Sequence, residues 1–210
     1  MEQQKIVVFV GGAHASGKTF LCRYLADKYG WMVCKQRHIL IEIGVSMGLS
    51  WEQIAPDYGK YIGEIGEIMA TRFRESVSPV LLIDCHYAIR SGKALRLRDK
   101  KIDEEYIHDL DLNLIAVLGQ QFSTRFVLVT VEPLAAVVRF EDRPENLLDC
   151  DHTFYGSIKQ SEAERKFFSR ALTHFRVPLD FVFFVNNSDE SCHATKKLET
   201  FCLKNIGVST

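Results

Sequence analysis

The chain has 210 residues, of which 47% are hydrophobic and 25% are charged, and its formal net charge is -1. This is the composition of an ordinary globular protein, and the length suits one domain with a sizeable core. The balance of 26 basic and 27 acidic residues does not call for a polyanionic partner, so DNA is not expected to bind. No apolar run approaches the length that spans a bilayer, so no membrane partner is expected either, and the oligomeric state stays open.

Two further features predict a cytoplasmic protein. The N-terminal stretch MEQQKIVVFVGG lacks the basic segment of a signal peptide and runs directly into an apolar strand. The six cysteines are separated by long, irregular gaps and form no C-x-x-C pair, which is typical of reduced, buried thiols. The local pairs CDH (150–152) and CH (192–193) have no second ligand pair at the spacing of a zinc site.

The first part of the chain alternates apolar strands with helices. A continuous apolar run, KIVVFV (5–10), predicts a strand that is buried on both faces, as in a parallel sheet. The following segments predict, in order, the helix KTFLCRYLADKYG, the short strand WMVCK, the short helix HILIEIGVSMG, and the mostly helical SWEQIAPDYGKYIGEIGEIMATRFRESV.

The second part continues the alternation. The predicted elements begin with the strand PVLLID (79–84), a basic loop over 90–102, the helix DEEYIHDLDLNLIAVLGQ and the strand RFVLVTV (125–131). They continue with the helix EPLAAVVRFEDR, the irregular PENLLDCDHTFYGS and the helix SEAERKFFSRALTHF. The last two are the strand DFVFFVNN (180–187) and the closing helix DESCHATKKLETFCL. Ser161 and Glu164 open the helix SEAERKFFSRALTHF in the manner of a capping box. Five short apolar strands that alternate with helices predict an α/β fold: an open, five-stranded parallel sheet with helices on both faces.

The strongest functional signal follows the first strand. Residues 12–19, GAHASGKT, fit the pattern G-x-x-x-x-G-K-[ST] between a strand and a helix. Glycines let successive backbone N–H groups turn around a phosphate, and the following helix directs the positive end of its dipole at the same anion. The pattern therefore predicts an ATP site formed by Gly12, Ala13, His14, Ala15, Ser16, Gly17, Lys18, Thr19 and Phe20.

Lys18 and Thr19 have separate expected roles in this site. The Lys18 ammonium would neutralise charge between the β- and γ-phosphates, and the Thr19 hydroxyl would bind Mg²⁺. Asp84 ends the strand PVLLID at the sheet edge where ligands bind, and an unpaired carboxylate there would be costly. We expect Asp84 to hold Mg²⁺ directly or through water; a helix cap or a salt-bridged aspartate is the structural alternative.

Arg139 and Arg143 are the candidate catalytic arginines. They are four residues apart, so they share a helix face that leads into an irregular segment. Such a segment could close over the nucleotide, exclude water and stabilise the charge of the transferring phosphoryl group. An amphipathic helix with solvated arginines is the alternative.

At these motifs the chain resembles the P-loop nucleoside monophosphate kinases, most of all the archaeal-type adenylate kinases. The resemblance implies a single kinase-like domain over 1–210, with acceptor-side helices at about 36–77 and a lid at about 139–160. HILIEIG is similar to the helix that borders the acceptor, and LLIDCHYAIR to the strand that ends in Asp-x-His, which implies that His86 and Arg90 lie near the acceptor. FVFFVNN resembles the last strand with its adenine-contacting loop, which implies a nucleotide contact by Asn186.

The chain departs from that family on the acceptor side. Arg37 and His38 stand where a glycine and an aspartate are usual, and we expect both to contact the acceptor. The stretch SWEQIAPDYGK offers no acceptor-side arginine, and the lid segment carries the acidic LLDCD. The acceptor can therefore differ from AMP.

The sequence predicts ATP- and Mg²⁺-dependent phosphoryl transfer to a small acceptor, with a nucleoside monophosphate expected first. Two alternatives stay open: an ATP-binding regulatory protein with slow ATPase activity, and a kinase for a non-nucleotide acceptor of the shikimate type. A GTP switch is a weaker option, since NNSD follows the last strand without the lysine of N-K-x-D.

Overall fold

The computed structural model describes residues 4–90, 106–108, 112–141, 153–188 and 191–207. The strands are β1 (Ile6–Gly12), β2 (Met32–Cys34), β3 (Val80–Asp84), β4 (Ala88–Arg90), β5 (Tyr106–His108), β6 (Ser123–Thr130) and β7 (Val182–Asn186). The helices are α1 (Lys18–Tyr29), α2 (Gln36–Ser46), α3 (Trp51–Ile54), α4 (Tyr58–Glu75), α5 (Leu112–Gln121), α6 (Pro133–Glu141), α7 (Phe154–Phe175) and α8 (Ser191–Asn205), with 3₁₀ turns at Ala55–Asp57 and Leu179–Phe181.

Five strands form one parallel sheet in the order β2-β3-β1-β6-β7, which confirms the predicted fold class. The strands are short and apolar, and β1 and β3 are buried along their whole length, as expected of strands with helices on both sides. A separate two-stranded antiparallel sheet pairs β4 with β5.

Alternate residues of the central strand point to the two faces of the sheet, and each face packs against its own helices. Val7 and Phe9 belong to a core with residues of α2, α4, α5 and α7. Val8 and Val10 belong to a second core with residues of α1 and α8. The sheet therefore lies between two helical layers, and its carboxyl edge stays available for a ligand.

The parallel register brings three strand ends to the same edge. Val10 of β1 lies opposite Asp84 of β3, and Cys34 of β2 lies opposite Ile83 of β3. The residues that follow β1 and β2 therefore come next to the end of β3, which places the glycine-rich loop (12–19), Lys35 and Asp84 side by side.

Two predicted elements differ from the structure. Tyr106–His108 was expected in a helix but forms β5, because its backbone pairs with Ala88–Arg90 of β4. Helix α7 begins at Phe154 and not at Ser161, since the Thr153 side chain accepts a hydrogen bond from the Gly156 N–H and caps the helix there.

The described cysteines agree with the expectation of reduced core thiols: Cys22, Cys34, Cys85 and Cys202 are free and buried. Cys150 and the Cys192 side chain lie outside the described residues. Within the described part of the chain, no helix is both long and apolar enough to cross a membrane.

Candidate active site

The glycine-rich loop has the backbone geometry that its pattern predicts. Gly17 has a φ of +84° and Gly12 a φ of +154°, which side-chain-bearing residues rarely adopt. A Cβ on Gly12 would lie 2.2 Å from the Val129 carbonyl oxygen, and one on Gly17 would lie 2.3 Å from Asn187 Nδ2. The loop therefore packs against the backbone of β6 and the end of β7 at two positions that only glycine fits.

Helix α1 begins immediately after Gly17, which is its N-cap and has no side chain to cap the first N–H groups. Its first residue, Lys18, is buried, and its ammonium lies 3.4 Å from the Ala13 carbonyl oxygen. Burial lowers the pKa of Lys18, and the nearby Asp84 carboxylate opposes this shift. A helix N-terminus and a buried lysine directed at one loop form an anion site that fits the phosphates of a nucleotide.

Asp84 is paired with protein groups, as the salt-bridged alternative anticipated, and its expected role toward Mg²⁺ stays a prediction. The Thr19 hydroxyl donates to Asp84 Oδ2 over 2.7 Å, and Lys35 Nζ lies 2.7 Å from the same oxygen. Burial raises the pKa of Asp84, but Lys18 and Lys35 outweigh burial and hold the pKa below its ordinary value. Asp84 is therefore an ionised carboxylate at the end of a buried strand.

The Thr19 and Asp84 oxygens suit Mg²⁺, which prefers hard oxygen ligands and is commonly held by one or two protein groups together with substrate phosphates. Among the described residues there is no cluster of three or more His, Cys, Asp or Glu side chains that could hold a metal by itself. The donor set thus fits a metal that is shared with a nucleotide better than a closed metal site.

A second buried carboxylate lies on the other side of the loop. Glu164 Oε1 lies 2.8 Å from His86 Nδ1, and Glu164 Oε2 accepts the Tyr87 N–H over 2.8 Å. Burial raises the pKa of Glu164 to about 7, and burial together with Lys18 holds the pKa of His86 well below its usual range. The raised pKa of Glu164 and the lowered pKa of His86 both favour the uncharged side chains, so a hydrogen bond is favoured over an ion pair at this contact.

His86 connects this carboxylate to the glycine-rich loop. Its ring lies near the backbone of Gly12, and its centroid lies 4.3 Å from the ring centroid of His14. Both histidines line the cavity described below. The sequence placed His86 beside the acceptor, and the structure places it between the loop and Glu164.

Arg139 contacts the outer side of the loop. Its NH1 donates to the Ala15 carbonyl oxygen over 3.2 Å, and its NH2 donates to the Asn187 carbonyl oxygen over 2.6 Å. Asn187 in turn donates from Nδ2 to the Ser16 carbonyl oxygen over 2.8 Å. Ala15 has a φ of +58°, an uncommon conformation for a residue with a side chain, and Arg139 helps to hold it there.

A cavity of about 720 Å³ opens in front of these groups. Its lining comes from the loop and α1, from the ends of β2 and β3, and from α2, α3 and α4: His14, Ala15, Gly17, Lys18, Thr19, Phe20, Lys35, Gln36, Arg37, Leu40, Trp51, Ala55, Pro56, Tyr58, Gly59, Asp84, Cys85 and His86. The anion-binding groups lie at one end, and the α2, α3 and α4 residues form what we call the acceptor half.

The acceptor half is polar where α2 begins. The Arg37 guanidinium lies 4.4 Å from the centroid of the Trp51 ring, in a cation–π contact. The Tyr58 hydroxyl donates to Gln36 Oε1, whereas the buried Gln36 Nε2 has no hydrogen-bond partner within the described part of the chain. His38 is exposed and is not among the cavity-lining residues.

Other predicted site residues lie elsewhere. Asn186 is exposed at the end of β7, and its Oδ1 accepts hydrogen bonds from Ser188; the buried neighbour Asn187 makes the contact with the loop. Arg143 and the Arg90 side chain lie outside the described residues, as does the middle half of the segment assigned to the lid, residues 142–152. The described ends of that segment belong to helices α6 and α7.

Three residues of the site were missed by the sequence analysis. Lys35 follows β2 directly, so the rule that placed Asp84 at the carboxyl edge could have found it. Glu164 was interpreted as a helix-capping residue, and only the packing of α7 against β4 and Tyr87 brings it to the loop. Asn187 differs from the predicted Asn186 by one position, which in a strand reverses the side-chain direction.

The sequence matches no model of a known protein family and no curated protein. Its structure is similar to several solved kinases. A shikimate kinase from Acinetobacter baumannii in complex with shikimate shares 15% identity at a TM-score of 0.55, over 97% of this chain and 96% of that chain. A Janibacter sugar kinase shares 15% identity at 0.55, over 99% of both chains, and a Sinorhizobium meliloti gluconokinase shares 14% at 0.52, over 97% and 94%. The chain has the fold of the P-loop kinases.

The Arg139 contacts lead to a first prediction. Arg139→Ala should weaken the binding of a fluorescent ATP analogue at least about tenfold, because a hydrogen-bonded charge at a buried loop contributes about 1.5–3 kcal/mol. Arg74→Ala is the control, since Arg74 is exposed in the last turn of α4 and bonds to Gln121. Unchanged analogue binding with slower turnover would instead support the transition-state role that the sequence suggested.

Glu164 leads to a second prediction, on stability against pH. The folded protein keeps the Glu164 proton up to a pKa of about 7, whereas the unfolded chain loses it near the ordinary glutamate pKa of 4.5. The free energy of unfolding therefore contains a contribution from Glu164 that is fully present below the unfolded pKa. This contribution is lost as pH rises to the folded pKa, by about 3 kcal/mol at most. Glu164→Gln should remove that loss.

The measurement is urea unfolding of the wild type and Glu164→Gln at several pH values across this window. The lowered pKa of His86 acts with the opposite sign in both proteins, so the difference between the two curves is the quantity to follow. Glu162→Gln, an exposed change on the same helix, should leave the wild-type curve unaltered. Parallel curves for the wild type and Glu164→Gln would show that Glu164 ionises normally.

Proposed function

We propose that this protein is an ATP- and Mg²⁺-dependent phosphotransferase that passes the γ-phosphoryl group to a small acceptor. The observation that supports it best is a single cavity that joins the Lys18 and Thr19–Asp84 end to the acceptor half. Donor and acceptor could therefore meet in line without either leaving the protein. The resemblance to the adenylate kinases makes a nucleoside monophosphate the first acceptor to test.

The chain's own groups supply positioning and charge. The glycine-rich loop and the N-terminus of α1 would surround the phosphates, and the buried Lys18 ammonium would neutralise negative charge between donor and acceptor. Thr19 and Asp84 would hold Mg²⁺, which when bound neutralises the phosphate oxygens. No covalent enzyme intermediate is needed, because the phosphoryl group moves directly to the acceptor oxygen.

On the acceptor side, the cavity lining combines apolar side chains with a few hydrogen-bonding groups and the Arg37 cation. The exposed Arg37 is held over Trp51, and the buried Gln36 Nε2 has no hydrogen-bond partner among the described residues. These groups suit a hydroxyl-bearing acceptor with an anionic group, such as the phosphate of a nucleoside monophosphate. Their position supports a role for Arg37 in place of the missing acceptor-side arginine.

A second candidate is a kinase for a non-nucleotide acid. The buried Gln36 Nε2 favours it, since this amide group can donate a hydrogen bond to a hydroxyl or carboxylate oxygen of the acceptor. The same site chemistry then acts on a sugar acid or a cyclic acid and not on a nucleotide. A slow regulatory ATPase is the remaining alternative from the sequence.

A coupled assay of ADP release separates these functions. ATP and Mg²⁺ would be tested with AMP, GMP, CMP, UMP, their deoxy forms, gluconate and shikimate. We expect ADP formation to depend on an acceptor, with a nucleoside monophosphate among the effective ones. Lys18→Ala should abolish transfer by at least about 10³-fold, because it removes the buried cation beside the phosphates.

Lys28→Ala is the matched control, since Lys28 lies in the last turn of the same helix and pairs with Glu199. It should leave transfer unchanged. Stimulation by gluconate or shikimate alone would support phosphoryl transfer but would show that the acceptor is a non-nucleotide acid and not a nucleoside monophosphate. Equal rates with and without every acceptor would contradict the kinase function and favour the ATPase.

A further inference from the structure

Lys35 is a cation of the site that lies outside the ATP motif (12–19). It follows β2 at the sheet edge, and its side chain is 31% exposed, whereas that of Asp84 is 3% exposed. Lys35 Nζ lies 2.7 Å from Asp84 Oδ2 and 3.4 Å from Thr19 Oγ1. The ammonium thus contacts both protein oxygens that would bind the metal.

We propose that Lys35 is an internal counter-ion that competes with divalent metal for the Asp84–Thr19 pair. This inference rests on the proposed metal–nucleotide site and adds a step to its use. A positive charge in contact with both oxygens repels a second cation and also fills part of its coordination sphere. A divalent cation binds to this pair only after the Lys35 ammonium has moved away.

The geometry allows that movement. Lys35 lines the cavity at the junction between the phosphate-binding end and the acceptor half, and its flexible stem can carry the ammonium from Asp84 to an anion in the cavity. Phosphate oxygens attract the ammonium and supply further ligands to the metal at the same time. Metal therefore enters with the nucleotide and binds weakly to the protein alone.

Lys35 also has a role before the nucleotide binds. A buried carboxylate without a partner is destabilising, and Lys35 supplies the direct ion pair that keeps Asp84 ionised and in place. Removing Lys35 has two linked consequences. The protein without metal loses stability, and its affinity for a divalent cation rises because the competitor is gone.

The test is the binding of Mn²⁺ in the absence of nucleotide, followed by electron paramagnetic resonance of free Mn²⁺. Lys35→Met should bind Mn²⁺ about tenfold more tightly than the wild type, by loss of one contacting positive charge. Mn²⁺ should also raise the melting temperature of Lys35→Met more than that of the wild type. Lys60→Met is the control, since Lys60 forms an exposed ion pair with Asp57 at 2.8 Å.

Two further variants keep the test decisive. Lys35→Gln preserves a hydrogen-bond donor for Asp84 and should show the same gain in Mn²⁺ affinity if Lys35→Met does not fold. In an Asp84→Asn background, which removes the carboxylate, Lys35→Met should have no effect on Mn²⁺ binding. Equal Mn²⁺ affinity in the wild type and both Lys35 variants, or a gain that persists in the Asp84→Asn background, would overturn the proposal.

The outcome is independent of phosphoryl transfer. A chain that transfers no phosphoryl group to any acceptor, but gains Mn²⁺ affinity on Lys35→Met, contradicts the proposed function and leaves Lys35 as the counter-ion. A chain that transfers phosphoryl groups and shows no Lys35 effect on Mn²⁺ contradicts this inference alone.

Discussion

Asp84 places a charged carboxylate at the end of a buried strand, and the neighbouring groups of the site keep that carboxylate ionised. Burial alone would favour the protonated acid, but Lys18 and Lys35 outweigh it, and Thr19 donates a hydrogen bond. These groups come from three different segments: the start of α1, the residue after β2 and the end of β3. The parallel register of the sheet is what brings them together, because it aligns the carboxyl ends of neighbouring strands.

Glu164 has the opposite protonation preference. It is also a buried carboxylate beside the same loop, but its polar partners are His86, the Tyr87 N–H and Gln160, and burial raises its pKa to about 7. One carboxylate is thus held as an anion that can attract metal, and the other is held close to neutral and supports the loop through His86. Two similar side chains acquire different chemistry from their surroundings alone.

The loop itself is supported from both sides. His86 lies near the backbone of Gly12 on one side, while Arg139 and Asn187 donate to the carbonyl oxygens of residues 15 and 16 on the other. These contacts hold a loop that includes positive φ values at Ala15 and Gly17. A loop that is to bind phosphate, as we propose for this one, must present its N–H groups in a fixed geometry, and these contacts favour such a geometry.

The sequence by itself determined the five strands, the parallel sheet and the glycine-rich loop, because these follow from local patterns: apolar runs, helical spacing and a fixed spacing of Gly, Lys and Thr. Only the tertiary structure decided that Lys35 pairs with Asp84, that Glu164 faces His86 and that Arg139 contacts the loop backbone. Each of these contacts joins residues far apart in the chain, and their partners depend on strand register and helix packing. Local spacing predicts which chemistry is present, whereas the packing of distant elements decides which charges meet and which are neutralised.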